Sequence, residues 1–132
     1  MKINELEAKL VSIPLETPKY IATREINSRE YLIIKITTEE DIVGWGYTFG
    51  SLNTKMIVDK ELKPLIKEED PMFVEKIWDK LFNNTLRWGR RGIYLRAISA
   101  IDIALWDIKA KACGQPLYKL LGGYRKKIPV YA

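Results

Sequence analysis

The residues from Ala97 to Ala132, AISAIDIALWDIKAKACGQPLYKLLGGYRKKIPVYA, decide how the whole chain is arranged. At about 100° per residue, the apolar residues at the start of this stretch, together with Tyr94 just before it, fall on one arc of a helix, roughly 120° wide. The arc consists of Tyr94, Ala97, Ile98, Ile101, Ala104, Leu105, Ile108 and Ala112. Because no charged residue interrupts it, we expect the arc to face the core of this domain.

The opposite side of the same helix is only half polar. Leu95, Ile103 and Trp106 share it with charged and hydroxyl side chains. A helix that is apolar on two sides is usually packed between two partners. One partner is the rest of this domain, so these three residues are predicted to be interdomain residues, covered by something else.

The end of the chain predicts a boundary. Gly114 and Pro116 separate the long helix from a short one, which ends at Gly122-Gly123. The last residues, Lys127–Ala132, then read as a new β-strand with no evident place in the first sheet. We therefore expect one domain over 1–123, followed over 124–132 by a linker and the first strand of a second unit.

The N-terminal third predicts an antiparallel meander. Apolar and charged residues alternate from Leu6 to Leu10, and we expect Pro14 to end this strand. The stretch Leu15–Arg29 lacks periodicity and is predicted to be a long loop of functional importance. Two further strands, Tyr31–Thr38 and Ile42–Tyr47, follow with a tight turn between them.

Helices follow the strands. Apolar residues recur at helical spacing over Ser51–Ile66, and Asp70-Pro71 is expected to cap the next helix and open it. Strands followed by helices make the fold class α+β, a three-stranded antiparallel meander and then a helical bundle. Gly44, Gly46 and Gly50 predict that something packs close to the backbone of the third strand.

Composition excludes several classes of protein. The 132 residues are enough for one domain, and no stretch approaches the apolar length of a membrane span. The charged N-terminus does not resemble a signal peptide, so we expect a cytoplasmic protein. With no histidine, the chain has no His-based triad or His metal site, and its one cysteine, Cys113, is expected to be a small buried apolar residue.

A basic cluster leaves one alternative open. Arg87-Trp88-Gly89-Arg90-Arg91 interleaves an aromatic with cations, as single-strand binders do, and the net charge is +5. However, 22 basic and 17 acidic residues are mixed along the chain, and a solvated loop explains the cluster equally well. We expect no nucleic acid and no membrane among the partners.

The long helix and the segment after it carry a family resemblance. Residues 100–107, AIDIALWD, then Lys111, Gly114, Pro116-Leu117 and 120–122, LLG, resemble the signature that closes the N-terminal domain of the enolase superfamily. The similarity is to its mandelate racemase and muconate lactonizing branch. It extends over the whole chain, whose closing residues resemble the first barrel strand of that family.

The resemblance implies a chemistry that this chain does not perform alone. Enzymes of the family remove the proton α to a carboxylate and stabilise the enediolate on Mg²⁺, with a Lys or His base. The metal ligands and bases lie on later barrel strands, which this sequence lacks, so we expect neither catalytic residues nor a metal site here. The expected partners are the barrel domain of the same enzyme and a carboxylic-acid or sugar-acid substrate, in a homo-oligomer.

The resemblance also implies which residues face the substrate. Two loops of this domain close over the barrel mouth, and their counterparts come after Pro14-Leu15 and after Gly44-Trp45-Gly46. The substrate-binding candidates are a first capping group, Lys19, Ile21 and Thr23, and a second capping group, Tyr47, Phe49 and Ser51. An aromatic at position 47, where many relatives have glutamate, is closer to the racemase and sugar-acid dehydratase subgroup.

Simpler interpretations stay open beside these. Lys19 would equally be a solvated loop charge, and Tyr47 and Phe49 would cover the sheet. We expect the acidic run at 68–70 to favour a helix N-terminus rather than a metal, and Asp102 and Asp107 to bind neighbouring backbone or the adjoining domain. A stand-alone module that self-associates through its apolar helix face is the alternative function.

Overall fold

A computed structural model describes residues 1–131 and confirms the α+β class. Three antiparallel strands form one sheet in the order β1-β2-β3. The strands are β1 (Ile3–Ile21), β2 (Arg24–Thr38) and β3 (Val43–Phe49). The helices are α1 (Leu52–Ile57), a π-helical stretch (Val58–Leu62), α2 (Lys63–Ile66), α3 (Val74–Thr85), a 3₁₀ turn (Leu86–Trp88), α4 (Ile93–Ala112) and α5 (Leu117–Leu120). No helix within 1–131 combines the length and apolarity that crossing a membrane requires.

The prediction of a loop over Leu15–Arg29 is wrong. Both strands continue through it and pair as far as Ile21 and Arg24, which makes residues 15–28 a two-stranded hairpin arm. Pro14 does not end β1, because the strand pairing shifts register between Pro14 and Lys19. Such an irregularity accommodates a residue without an N–H.

The hairpin arm lies outside the core. None of its residues is buried, and Tyr20 and Ile21 are 71% and 64% exposed. A two-stranded ribbon without a third strand or a core to cover it is only marginally stable in water. The arm therefore depends on the rest of β1 and β2 for its position.

The core lies between one face of the sheet and the helices. Alternate residues of β2, namely Leu32, Ile34 and Ile36, are fully buried, as period-2 alternation requires. The buried stripe of α4 covers this face, and α3 and the π-helical stretch complete the core. The principal helical contributors are Val58, Leu62, Ile77, Leu81, Ile98, Ile101, Leu105 and Ile108.

Two glycines of β3 allow the strand to touch α4, as predicted. A Cβ atom added to Gly46 would lie 1.9 Å from the carbonyl oxygen of Ala100. One added to Gly44 would lie 2.2 Å from the carbonyl oxygen of Ala104. Any side chain at these positions would push the strand away from the helix.

Two predicted helix boundaries differ in the structure. The predicted helix over Ser51–Ile66 is divided by the π-helical stretch, which precedes Pro64, a residue without the N–H of a continuous helix. Asp70 does not cap α3. Its Oδ1 accepts the Met72 N–H at 3.0 Å, and its carbonyl accepts the Phe73 N–H at 3.1 Å, so it closes a turn and α3 begins at Val74.

The C-terminal cap of α4 is as predicted, but the last residues of the helix are more exposed than predicted. Gly114 has φ +61, and the Gln115 N–H donates to the Ala110 carbonyl at 3.0 Å, which closes the helix. Ala112, expected in the core, and Cys113, expected to be buried, are both exposed. The buried stripe of α4 ends at Ala110, because the last turn extends past the core.

Residues 124–131 lie outside the helices and strands and are exposed. The expected strand over Lys127–Ala132 has no neighbouring strand among the described residues, and Ala132 itself lies outside them. The boundary between residues 1–123 and residues 124–132 stays a prediction.

We expect Gly46→Ala to destabilise the chain by about 2 kcal/mol or more, because its methyl group would overlap the Ala100 carbonyl. Urea denaturation followed by tryptophan fluorescence measures the free energy of unfolding. Ser12→Ala, on the exposed surface of β1, is the control and should change it by less than about 0.5 kcal/mol. A similarly small change for Gly46→Ala would contradict the close contact.

Candidate functional site

Both capping groups belong to the same end of the sheet. Tyr31 of β2 lies opposite Phe49 of β3 and Val11 of β1, and the hairpin arm continues past this row. The arm turns at Ala22-Thr23, eight residues beyond Tyr31 along the chain, or about 26 Å at the rise of a strand. The structure therefore aligns the two groups along one direction and does not bring them into contact.

The first capping group occupies the outer part of the arm. Lys19 lies opposite Ile26, Ile21 lies opposite Arg24, and Thr23 is in the turn. All three members of the group are exposed. The Tyr20 hydroxyl donates to Glu25 Oε2 across the strands at 3.1 Å, which ties the two sides of the arm together.

The second capping group rests on the sheet. Tyr47 and Phe49 are 62% and 53% exposed. The ring of Tyr31 stacks on Phe49 with centroids 4.9 Å apart and meets Tyr47 edge-on at 6.0 Å. These contacts fix both rings on the outer face of the sheet, with most of their surface available to a ligand.

Ser51 has a local structural role. Its N–H donates to Thr54 Oγ1 at 3.3 Å, and the two hydroxyl oxygens are 3.5 Å apart at the start of α1. Next to it, the Gly50 N–H donates to the Glu30 carbonyl at 3.2 Å. The segment that carries the second capping group is therefore anchored to β2 and to α1 where β3 ends.

An apolar groove extends from the second capping group across the outer face of the sheet. Its volume is about 570 Å³. Its lining residues are Val11, Ile13, Tyr31, Ile33, Trp45, Gly46, Tyr47, Ile103, Asp107 and Leu117. Sequence patterns did not identify Val11, Ile13, Ile33 and Trp45 as site residues. Period-2 alternation was an available signal, but only the register between strands shows that they are neighbours.

The three predicted interdomain residues differ in exposure. Ile103 is 39% exposed and lines the apolar groove. Leu95 and Trp106 are half-buried, and Trp106 packs against the core beneath Lys109, whose Nζ lies 5.1 Å from its ring centroid. The residues of this chain leave all three partly accessible, and their contact with another domain stays a prediction.

Asp107 and Lys111 fasten β3 to α4. The Trp45 N–H donates to Asp107 Oδ2 at 2.9 Å. Lys111 Nζ donates to the same carboxylate oxygen at 2.6 Å and to the Val43 carbonyl at 2.7 Å. We call this pair and its two backbone contacts the Asp107–Lys111 clip. The expectation that Asp107 binds neighbouring backbone is confirmed.

The other acidic residues have different surroundings. Glu69 accepts hydrogen bonds from Lys80 at 2.7 Å and Lys76 at 3.1 Å, which hold the pKa of its carboxyl below the ordinary value. Asp102 is half-buried, and its carboxylate makes no hydrogen bond or ion pair with a residue in the described range 1–131. Burial, and then the nearby charge of Glu75, raise the pKa of Asp102.

The basic cluster is a surface loop. Arg87, Arg90 and Arg91 are exposed between α3 and α4, and Trp88 is 66% exposed. The open interpretation as a solvated loop agrees with this placement.

Comparison with known proteins identifies relatives over almost the whole chain. Residues 5–122 match the family model described as mandelate racemase / muconate lactonizing enzyme, N-terminal domain. The arabinonate dehydratase of Saccharolobus solfataricus is 42% identical over 105 residues, which cover 77% of this chain and 28% of that protein. The L-rhamnonate dehydratase of Saccharopolyspora erythraea is 40% identical over 119 residues, 87% of this chain and 30% of that protein.

Solved structures agree with these sequence matches. A racemase from Streptomyces coelicolor with bound magnesium superposes with a TM-score of 0.94 and 36% identity, covering 98% of this chain and 38% of that one. The L-talarate dehydratase of Polaromonas, in complex with Mg and L-glucarate, gives a TM-score of 0.85 and 32% identity, with 94% and 36% covered. This chain therefore spans about a third of the length of its relatives. The resemblance seen in the closing helix is confirmed.

We expect Asp102→Asn to stabilise the chain at pH 7 by no more than about 0.5 kcal/mol, because it removes a partly desolvated charge near Glu75 whose effect is reduced by solvent screening. A raised pKa means that the folded state binds the proton more tightly. The contribution of Asp102 to stability therefore falls as pH rises above the ordinary carboxyl range, about pH 4. Urea denaturation between pH 3.5 and 7 should show the gain shrinking as the pH falls.

Asp79→Asn, at an exposed position of α3, is the matched control and should show neither the gain nor this pH dependence. A less stable Asp102→Asn variant at pH 7 would mean that the Asp102 carboxylate makes a favourable interaction in the folded chain, contrary to its surroundings.

Proposed function

Because the chain belongs to the mandelate racemase and muconate lactonizing enzyme family, as its N-terminal domain, we propose that it is the substrate-capping domain of a longer enzyme. Residues 1–123 form the capping domain, and residues 124–132 lead into a barrel domain that is not part of this sequence. The assembled enzyme removes the α-proton of a carboxylate in a racemase or sugar-acid dehydratase reaction. The names of the relatives, two dehydratases and a racemase among them, support this reaction class.

The side chains of residues 1–131 do not fit a magnesium ion. Across positions 1–131, no three Asp, Glu or Cys side chains come together in a way that could hold a metal ion. The carboxylates of Glu69 and Asp107 are already paired with lysines. We assign magnesium to the barrel domain, and we derive no catalytic step from the side chains of this chain.

The single observation that carries the capping role is the alignment of the two capping groups, neither of which contains a buried residue, at one end of the sheet. The second capping group offers the aromatic faces of Tyr47 and Phe49, held in place by Tyr31. The first lies further out on the hairpin arm, where Lys19, about 16 Å beyond the Tyr31 row at the rise of a strand, offers a positive charge to an anionic substrate. Apolar walls with a few polar groups are typical of substrate pockets, and covering segments keep water out of the reaction.

A chimeric enzyme tests this proposal. This chain replaces the matching N-terminal segment of the Saccharolobus arabinonate dehydratase, and dehydration of arabinonate is assayed with Mg²⁺. We expect Lys19→Met and Tyr47→Ala each to raise KM about tenfold, since each removes a direct substrate contact. Lys9→Met, at an exposed lysine of β1 outside both capping groups, is the control and should leave KM within about twofold.

Two results would contradict the proposal. If Lys19→Met and Tyr47→Ala change KM no more than Lys9→Met does, these residues do not face the substrate. If the isolated 132-residue chain exchanges the α-proton of a carboxylic acid in the presence of Mg²⁺, the reaction does not require a barrel domain.

A second candidate function is favoured by the apolar groove. Its walls include Ile103 of α4, and an apolar surface of this kind commonly marks a contact with another protein. If the chain is a self-associating module, sedimentation velocity should show a stable dimer, and Ile103→Glu should convert it to a monomer. A monomer at concentrations up to about 100 µM, the weak end of specific association, would reject this function.

A further inference from the structure

The Asp107–Lys111 clip acts on the free edge of a strand. β3 is an edge strand, paired with β2 on one side only. On its free edge, the clip binds the Val43 carbonyl and the Trp45 N–H. Both contacts cross between elements that are more than sixty residues apart in sequence. The clip therefore fixes how far β3 slides along α4, just before the strand reaches Tyr47.

The other end of the same segment has its own anchors. The Gly50 N–H is bound to the Glu30 carbonyl, and Ser51 begins α1. Between the clip and these anchors, Tyr47 and Phe49 lean on Tyr31. The second capping group is thus held at both ends, whereas the first lies on an arm with no buried residue. Of the two, only the second has a fixed backbone from which side chains can be placed precisely.

We propose that Asp107 and Lys111 are positioning residues, which hold the second capping group at a fixed height above the substrate by fastening the free edge of β3 to α4. The backbone part of this inference concerns the chain itself. Its consequence for substrate binding rests on the proposed function. Neither residue contacts substrate in this scheme, since both act through the backbone of β3.

Amide hydrogen exchange on the isolated chain tests the backbone part. The Trp45 N–H points away from β2 to reach Asp107, and neighbouring residues in an antiparallel pair alternate in direction. The amides of Gly46 and Thr48 therefore point toward β2 and report on the pairing of the segment, as does Gly50. We expect Asp107→Ala to speed exchange at these three amides about tenfold, and to leave Leu81 in α3 within about twofold.

Matched variants separate positioning from general stability. Asp102→Ala and Lys109→Met remove charges of the same kinds from the same helix without touching the clip, and neither should speed exchange at any of the four amides. Lys111→Met should speed exchange at Gly46 and Thr48, and Lys111→Arg, which keeps a cationic donor, should restore protection. If Asp107→Ala does not fold, the comparison of Lys111→Met with Lys111→Arg decides the test.

Equal acceleration at Thr48 and Leu81 would overturn the proposal, because the clip would then be one stabilising contact among many. In the chimeric enzyme, Lys111→Met should raise KM severalfold while kcat stays within about twofold, as expected for misplaced binding groups. If Lys111→Met speeds exchange at Thr48 but leaves KM unchanged, the clip does not affect substrate binding, and that part of the proposal is rejected. An inactive chimera would count against the proposed function only, since the exchange measurement requires no barrel.

Discussion

The contact between β3 and α4 is the constraint on which the rest of the structure depends. The strand can approach the helix backbone only because Gly44 and Gly46 have no Cβ, since a Cβ at either position would overlap a carbonyl oxygen of α4. This close approach brings the sheet down onto the buried stripe of α4. It also brings the free edge of β3 within reach of Asp107 and Lys111. One packing contact thus seals the core and fixes the edge strand at the same time.

Because of this contact, the second capping group is held in place, whereas the first lies on an extended arm away from the core. The second group is carried by a strand that is fastened along its edge and stacked through Tyr31. The first is carried by a ribbon exposed on both faces, whose conformation is not supported by any buried residue of its own. Under the proposed capping role, the second group would form a fixed wall beside the substrate, and the exposed arm would supply the segment that covers it.

Much of this fold is predictable from the sequence because burial leaves a periodic pattern, in the alternation of β2 and the apolar arc of α4. The hairpin arm buries neither face, so no alternation marks its strands, and Pro14 reads as an end. The site was less predictable, because the register between strands determines which of its residues are neighbours. Tyr47 and Phe49 were identified through a family resemblance, but their support by Tyr31 depends on a cross-strand pairing. The sequence predicts that Asp107 binds backbone, but not which backbone group. Its partner, the Trp45 N–H, lies sixty-two positions earlier, and only the packing of β3 on α4 brings the two together.

The residues that hold the domain together and those proposed to meet the substrate are different sets. None of the six members of the two capping groups is buried, whereas the core consists of aliphatic side chains from β1, β2 and the helices. Substitutions in the capping groups therefore leave the main stabilising contacts intact. Such a separation agrees with the occurrence of related domains in enzymes named for different substrates, the arabinonate and L-rhamnonate dehydratases among them. The Asp107–Lys111 clip is where the two sets meet, since it belongs to the scaffold and acts on the position of the capping residues.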